Sequence, residues 1–184
     1  MPDNLNQPAV LVAYATHAGS TQEVAEAIAA ELRQNGLSCD LKKAREVRSL
    51  EGYSAVVLGA PLYIFHWLGD AKKFLKQHRA ALASRHGSGR PLAIFALGPM
   101  NDDDKETKGA REQLDKDLLQ FPWLKPVDIQ IFGGRYDPAK LHFPYSLMMA
   151  MPANPMKQIP ASDVRNWAQI KAWAGMIANK FKTL

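Results

Sequence analysis

Cysteine is almost missing from this 184-residue chain, in which Cys39 stands alone. One thiol closes no internal disulfide, so stability has to come from a buried core, and a reducing compartment is expected. Long hydrophobic runs are missing too. A membrane-spanning helix takes roughly 18 apolar residues or more. The longest candidate here, Ala55–Phe65, is short and contains Gly59 and Pro61. The stretch Met1–Pro8 carries Asp3 and neither Lys nor Arg, so no signal peptide is expected and the protein reads as cytoplasmic. A strong acidic excess is absent, since 23 Lys+Arg outweigh 18 Asp+Glu for a net charge of +5. No zinc or helix-turn-helix signature appears, and no aromatics alternate with the cations, so nucleic acid is not expected as a partner.

What is present reads as globular. Apolar residues make up 47% and charged residues 22%, an ordinary balance for a chain long enough to bury one core. No repeat or linker divides it. We therefore expect a single domain over residues 8–184 behind a flexible lead, 1–7. Cations gather at Lys72, Lys73, Lys76, Arg79, Arg85 and Arg90. They fit a solvated helix face, or attraction to an anionic membrane surface or acidic ligand.

The hydrophobic period changes repeatedly along the chain. Ala9–Tyr14, Leu37–Leu41, Ala55–Ala60, Pro91–Leu97 and Val127–Phe132 read as strands. Between them, Val24, Ala25, Ile28, Ala29 and Leu32 mark a helix stopping at Gly36, with Ser20 and Glu23 as a capping box. Further helices are expected over Asp70–Ala83, over Gly109–Leu119 and after Ser162 as cap, the last with Val164, Trp167, Ile170, Trp173, Ile177 and Phe181 as its stripe. Near-continuous apolar strands alternating with amphipathic helices predict an α/β fold with a parallel sheet covered on both faces.

In such a sheet ligands bind beyond the carboxyl ends of the strands. Three loops leave those ends. Thr16, His17, Ala18, Gly19, Ser20 and Thr21 lie between the first strand and helix. They match neither G-x-G-x-x-G nor the Walker pattern. Hydroxyls and bare amides at a helix N-terminus suit a phosphate monoester; plain capping is the other reading. Pro61–Trp67 concentrates Tyr63, Phe65, His66 and Trp67, suited either to stacking a planar ligand or to packing beneath the next helix. Gly98 in the third loop would let a backbone approach a ligand closely.

Strand, T-x-x-G-x-T, helix, then an aromatic loop after the third strand resembles the flavodoxin family. Gly59–Trp67 (GAPLYIFHW), Phe132–Tyr136 (FGGRY) with the Met-rich Leu141–Met151, and Asp163–Trp167 (DVRNW) resemble its protoporphyrinogen/quinone oxidoreductase branch more narrowly. The resemblance implies a flavodoxin-like three-layer sandwich with a five-stranded parallel sheet in the order 2-1-3-4-5, and FMN as cofactor. It implies the FMN phosphate on Thr16–Thr21. The ring system would sit between Ala60, Pro61, Leu62, Tyr63, Ile64, Phe65, His66 and Trp67 on one side and Leu97, Gly98, Pro99 and Met100 on the other. Ala18 stands where many flavodoxins carry a hydroxyl.

A flavin brings its own redox chemistry, so no side-chain catalyst is demanded. None of the five histidines, His17, His66, His78, His86 and His142, forms a metal-binding pattern. Asp102, Asp103 and Asp104 read as first-turn helix carboxylates, and Cys39 as an inert buried thiol. Leu141–Met151 reads either as core packing or as an apolar lip for a hydrophobic substrate or peripheral membrane contact. Three functions therefore compete: an FMN oxidoreductase with a hydrophobic acceptor, an electron carrier docking on another redox protein, and a flavin-binding module without turnover. The donor and acceptor are small molecules or proteins, and nothing in the sequence speaks to oligomeric state.

Overall fold

The computed structural model describes residues 9–63, 66–83, 89–101, 103–137 and 160–184, with the Tyr63 side chain excepted. The stretches 1–8, 64–65, 84–88, 102 and 138–159 lie outside it, and with them Ile64, Phe65, His86, Asp102, His142 and the Met-rich 141–151.

The elements follow in the order β1 (Ala9–Tyr14), α1 (Ser20–Gln34), β2 (Cys39–Lys43), β3 (Tyr53–Tyr63), β4 (His66–Trp67), α2 (Gly69–Gln77), α3 (Arg79–Leu82), β5 (Leu92–Leu97), α4 (Asp104–Leu118), β6 (Asp128–Phe132), β7 (Arg135–Tyr136), β8 (Ser162–Asp163) and α5 (Trp167–Thr183). Five parallel strands form the sheet in the order β2-β1-β3-β5-β6. Over the main strands this is the expected 2-1-3-4-5. The chain leaves β1 toward β2 and then returns to its other side for β3. That reversal puts the switch point between β1 and β3.

Each apolar run is divided between two faces because successive side chains point opposite ways. Val10, Val12 and Tyr14 of β1 join Val57, Phe95 and Phe132 beneath α1 and α5. Leu11 and Ala13 join Val56, Leu58 and Ile94 beneath α2 and α4. On the first face, Trp173 meets Phe132 edge-on at 5.6 Å and Phe95 at 6.2 Å. Gly59 makes room there, since an added Cβ would strike the Phe95 ring.

Several boundaries differ from expectation, each for a local reason. β2 starts at Cys39 because Gly36 and Leu37 still close α1, donating to Arg33 O and Leu32 O, with Gly36 at φ 82°. β3 runs on through Tyr63 because β4 pairs back onto it antiparallel, Leu62 with Trp67 and Tyr63 with His66. The expected helix 70–83 is broken at His78 into α2 and α3. α4 begins earlier, at Asp104, because the Asp103 side chain accepts the Lys105 N–H at 2.7 Å. Ser162 does not cap the last helix. It lies in β8, paired with Tyr136, and Asn166 caps α5 by accepting the Gln169 N–H at 3.0 Å. Val164 consequently falls before the helix, its N–H donating to Gly134 O at 3.0 Å. Cys39 is buried, and burial pushes its thiol up to about 11.

Candidate functional site

The three expected loops emerge side by side, because β1, β3 and β5 are adjacent and parallel. The Ala15 N–H donates to Gly59 O at 2.8 Å, and Pro61 pairs with Leu97. The turn after β1 is thus bound to β3, and the hairpin after β3 to the strand that precedes the third loop.

The first turn is built around Gly19, at φ 87°, with open space where a Cβ would stand. Positive φ there favours glycine. The Gly19 N–H donates to Thr16 Oγ1 at 2.9 Å, so that hydroxyl staples the turn. Ser20 is not the cap: it is the first residue of α1, and no side chain caps the helix. The Glu23 carboxylate has been taken by Arg165 and Arg135, at 2.7 and 3.5 Å, so the capping box does not form. A helix start without a side-chain cap keeps its first-turn amides available to an anion. Ala18 is half-buried in this turn. Thr21 is fully buried, and among the described residues its Oγ1 has no hydrogen-bond partner. An unmet buried hydroxyl at a helix N-terminus fits a phosphate oxygen as acceptor. Burial holds the His17 imidazole below its ordinary range, opposed by the charge of Asp70 at the start of α2.

The hairpin uses its polar groups internally. Ala60 O accepts the Trp67 indole N–H at 3.2 Å, and Pro61 O accepts the Leu68 N–H at 3.1 Å. The Trp67 N–H donates to Asp117 Oδ2 at 2.6 Å. Asp117, buried within α4, also meets Lys72 at 3.2 Å and His66 Nδ1 at 3.5 Å. Trp67 itself lies in the core under α2 and α4 rather than at the loop's open side. His66 points outward, 70% exposed. Leu62 is half-buried, and Tyr63 contributes backbone pairing to the hairpin.

The third loop is equally tied. The Gly98 N–H donates to Phe132 O at 3.2 Å. A Cβ on Gly98 would come within 2.9 Å of Ala110 Cβ and 3.2 Å of Leu62 Cδ1. The missing side chain therefore lets α4 and the hairpin close together at Gly98. Pro99 O accepts the Gly134 N–H at 2.6 Å. Glu106 accepts the N–H groups of Met100 and Asn101 at 3.1 and 3.2 Å, and the Asn101 side-chain amide holds its carboxyl below the usual range. The Ser162 hydroxyl donates to Met100 O at 3.2 Å, fastening β8 to this loop. A cavity of about 360 Å³ opens beside it among Pro99, Asn101, Asp104, Gly133, Val164 and Asn166. A second, of about 310 Å³ and lined by Arg48, Gln77, His78 and Arg90, lies toward the amino ends of the strands. Among the described residues no three His, Cys, Asp or Glu side chains gather as a metal site, and no described helix is long and apolar enough to cross a membrane.

Sequence reasoning missed Arg165, Arg135, Asp117 and Glu106 as supports of these loops, and it missed the β7–β8 pair. Arg165 reaches Glu23 across 142 residues, and Asp117 reaches Trp67 across 50. Neither spacing leaves a local pattern. Only DVRNW marked the neighbourhood of Arg165.

A family model described as a flavodoxin domain matches residues 11–162. The chain is similar to the protoporphyrinogen IX dehydrogenase [quinone] of Escherichia coli strain K12, 25% identical over 175 residues, covering 92% of this chain and 94% of that protein. It is similar in fold to a flavodoxin from the domain Archaea, with TM-score 0.54 and 15% identity over 95% of this chain and 99% of that one. Oxidised flavodoxin 2 from Bacillus cereus gives TM-score 0.54 and 16% identity, over 95% of this chain and 98% of that one.

Proposed function

The chain belongs to the flavodoxin domain family and binds FMN, and from those premises we propose that it is an oxidoreductase passing electrons between the flavin and a hydrophobic acceptor of the quinone or protoporphyrinogen type. The observation that carries the cofactor assignment is Thr21, whose buried hydroxyl lacks a partner in an uncapped helix start. The acceptor class is supported by the similar length and sequence of the protoporphyrinogen IX dehydrogenase.

When bound, FMN supplies one- and two-electron redox chemistry. The chain's part is to bind and orient. Thr16 staples the turn, Gly19 allows its reversal, and Thr21 with the first-turn amides of α1 would hold the phosphate. Backbone of Ala60–Tyr63 and of Leu97–Met100 would flank the ring system. Ile64 and Phe65 belong to the same proposed wall. Trp67 and Asp117 would hold that wall from behind, and His66 would stand at its solvent side. Burial disfavours the charged form of His17 in this turn, opposed by the charge of Asp70. A lipid-dissolved quinone as acceptor would bring the protein to a membrane surface.

The test begins with the visible spectrum of the purified protein and identification of the chromophore released on denaturation. FMN is expected. Turnover is then measured with soluble quinones, with protoporphyrinogen and with a protein electron acceptor. Quinone-dependent turnover supports the proposal. Reduction of the protein acceptor alone would make the chain a carrier, and retained flavin without any turnover a binding module. A colourless protein that takes up no added FMN would overturn the cofactor assignment.

A further inference from the structure

Between Thr16 and Thr21 there is no lysine or arginine. A phosphate dianion there would also face Glu23, a carboxylate in the first turn of the same helix. That position normally favours an anion, so the side chain and the ligand compete for the same field. The structure brings cations to it from the far end of the chain. The Arg165 guanidinium is 3% exposed. Its Nη1 donates to Glu23 Oε2 at 2.7 Å and to Ser20 O at 3.3 Å. Its Nε and Nη2 donate to the two Asp163 oxygens at 2.8 and 2.6 Å, and it lies 4.7 Å from the Trp167 ring. Arg135 adds a second cation to Glu23 at 3.5 Å and reaches Asp137 at 3.3 Å. Hydrogen bonds from Arg165 hold the Asp163 carboxyl below its usual range, so that pair stays ionised at neutral pH.

A buried guanidinium is costly to desolvate and is held only by several good partners. Here those partners include the carbonyl of the first residue of α1. We propose that Arg165 is a positioning residue for the flavin phosphate: it fixes the first turn of α1 through Ser20 O and, shared with Asp163, offsets part of the charge of Glu23, so that the turn prefers FMN to riboflavin. This rests on the FMN assignment above. The effect is electrostatic and local, so it acts on the phosphate and not on the ring system. Salt screens it, over about 10 Å at 0.1 M.

The experiment titrates the flavin-free chain with FMN and with riboflavin, following flavin fluorescence. It compares wild type, R165Q, R165K, E23Q and E23Q/R165Q, with the unfolding midpoint of each. R165Q is expected to weaken FMN binding by about tenfold and riboflavin binding by less than about twofold, as for loss of one nearby compensating charge. R165K retains most of the FMN preference. E23Q/R165Q recovers part of what R165Q loses, because the Glu23 carboxylate has gone while Asp163 and Ser20 O are still left without the guanidinium. The FMN preference narrows with added salt. Equal weakening of both flavins by R165Q, or a double variant no better than R165Q, would overturn the proposal and leave FMN binding standing. Should R165Q fail to fold, E23Q alone decides: tighter FMN binding with riboflavin unchanged supports the counter-charge, and no change refutes it. A wild type that binds neither flavin removes the cofactor assignment itself.

Discussion

The turn after β1 and the hairpin after β3 flank the same switch point, yet they dispose of their polar groups in opposite ways. The turn leaves a buried hydroxyl without a partner and its helix uncapped. Among its described residues the hairpin turns Ala60 O, Pro61 O and both Trp67 N–H groups onto itself, Leu68 or Asp117. Each is braced by one buried ionic side chain from elsewhere, a cation for the turn and a carboxylate for the hairpin. A ligand-binding element keeps hydrogen-bonding capacity in reserve, whereas a wall that orients a ring needs rigidity. Under the proposed function the turn would be the first of these and the hairpin the second.

The sharpest way to break this contrast is Asp117→Ala. It strips the Trp67 N–H of its acceptor and leaves Lys72 without its buried partner. We expect about 3 kcal/mol lost in urea unfolding, together with weaker flavin binding. A loss under about 1 kcal/mol would mean that the hairpin is not held by this carboxylate. Gly98→Ala comes next. The new Cβ meets Ala110 Cβ at 2.9 Å and Leu62 Cδ1 at 3.2 Å, and overpacking there should cost about 2 kcal/mol. An unchanged thermal midpoint would show that α4 yields freely.

Thr21→Val should separate binding from stability. Removing a buried hydroxyl without a partner leaves the flavin-free protein as stable or up to about 1 kcal/mol more stable. FMN affinity falls about tenfold, the loss of one hydrogen bond to a charged group. Loss of stability in the flavin-free state would mean that the hydroxyl has a structural task. The smallest expected effect is in pH. Burial lowers the pKa of His17 and of His78 in the folded chain, so the unfolded chain binds more protons as the pH falls below about 6.5. Stability is then full above that value and declines between it and the lower folded-state values. A thermal midpoint that stays flat from pH 7.5 to 5.5 would argue against the burial-driven shifts.

Much of this was legible along the chain. Ala9–Tyr14 and the α1 stripe were readable because period-two and period-3.6 burial are written in consecutive residues. The three loops were readable because parallel α/β order sends them to one edge. The support of those loops was not readable. Ser20 with Glu23 has the form of a capping box, yet Glu23 answers to Arg165. Ser162 looked like a cap and proved to be a strand partner of Tyr136. In each case a partner far along the chain outcompeted a local one.

The order of apolar and polar residues by itself determined the α/β class and the carboxyl-edge placement of the candidate site's three loops, since backbone geometry and hydrophobic period act over a few residues. Only the tertiary structure decided which charges brace that site. Coulombic pairing between Arg165 and Glu23, or between Asp117 and Lys72, depends on distance in space, and distance in space is settled only once the sheet has brought the ends of the chain together.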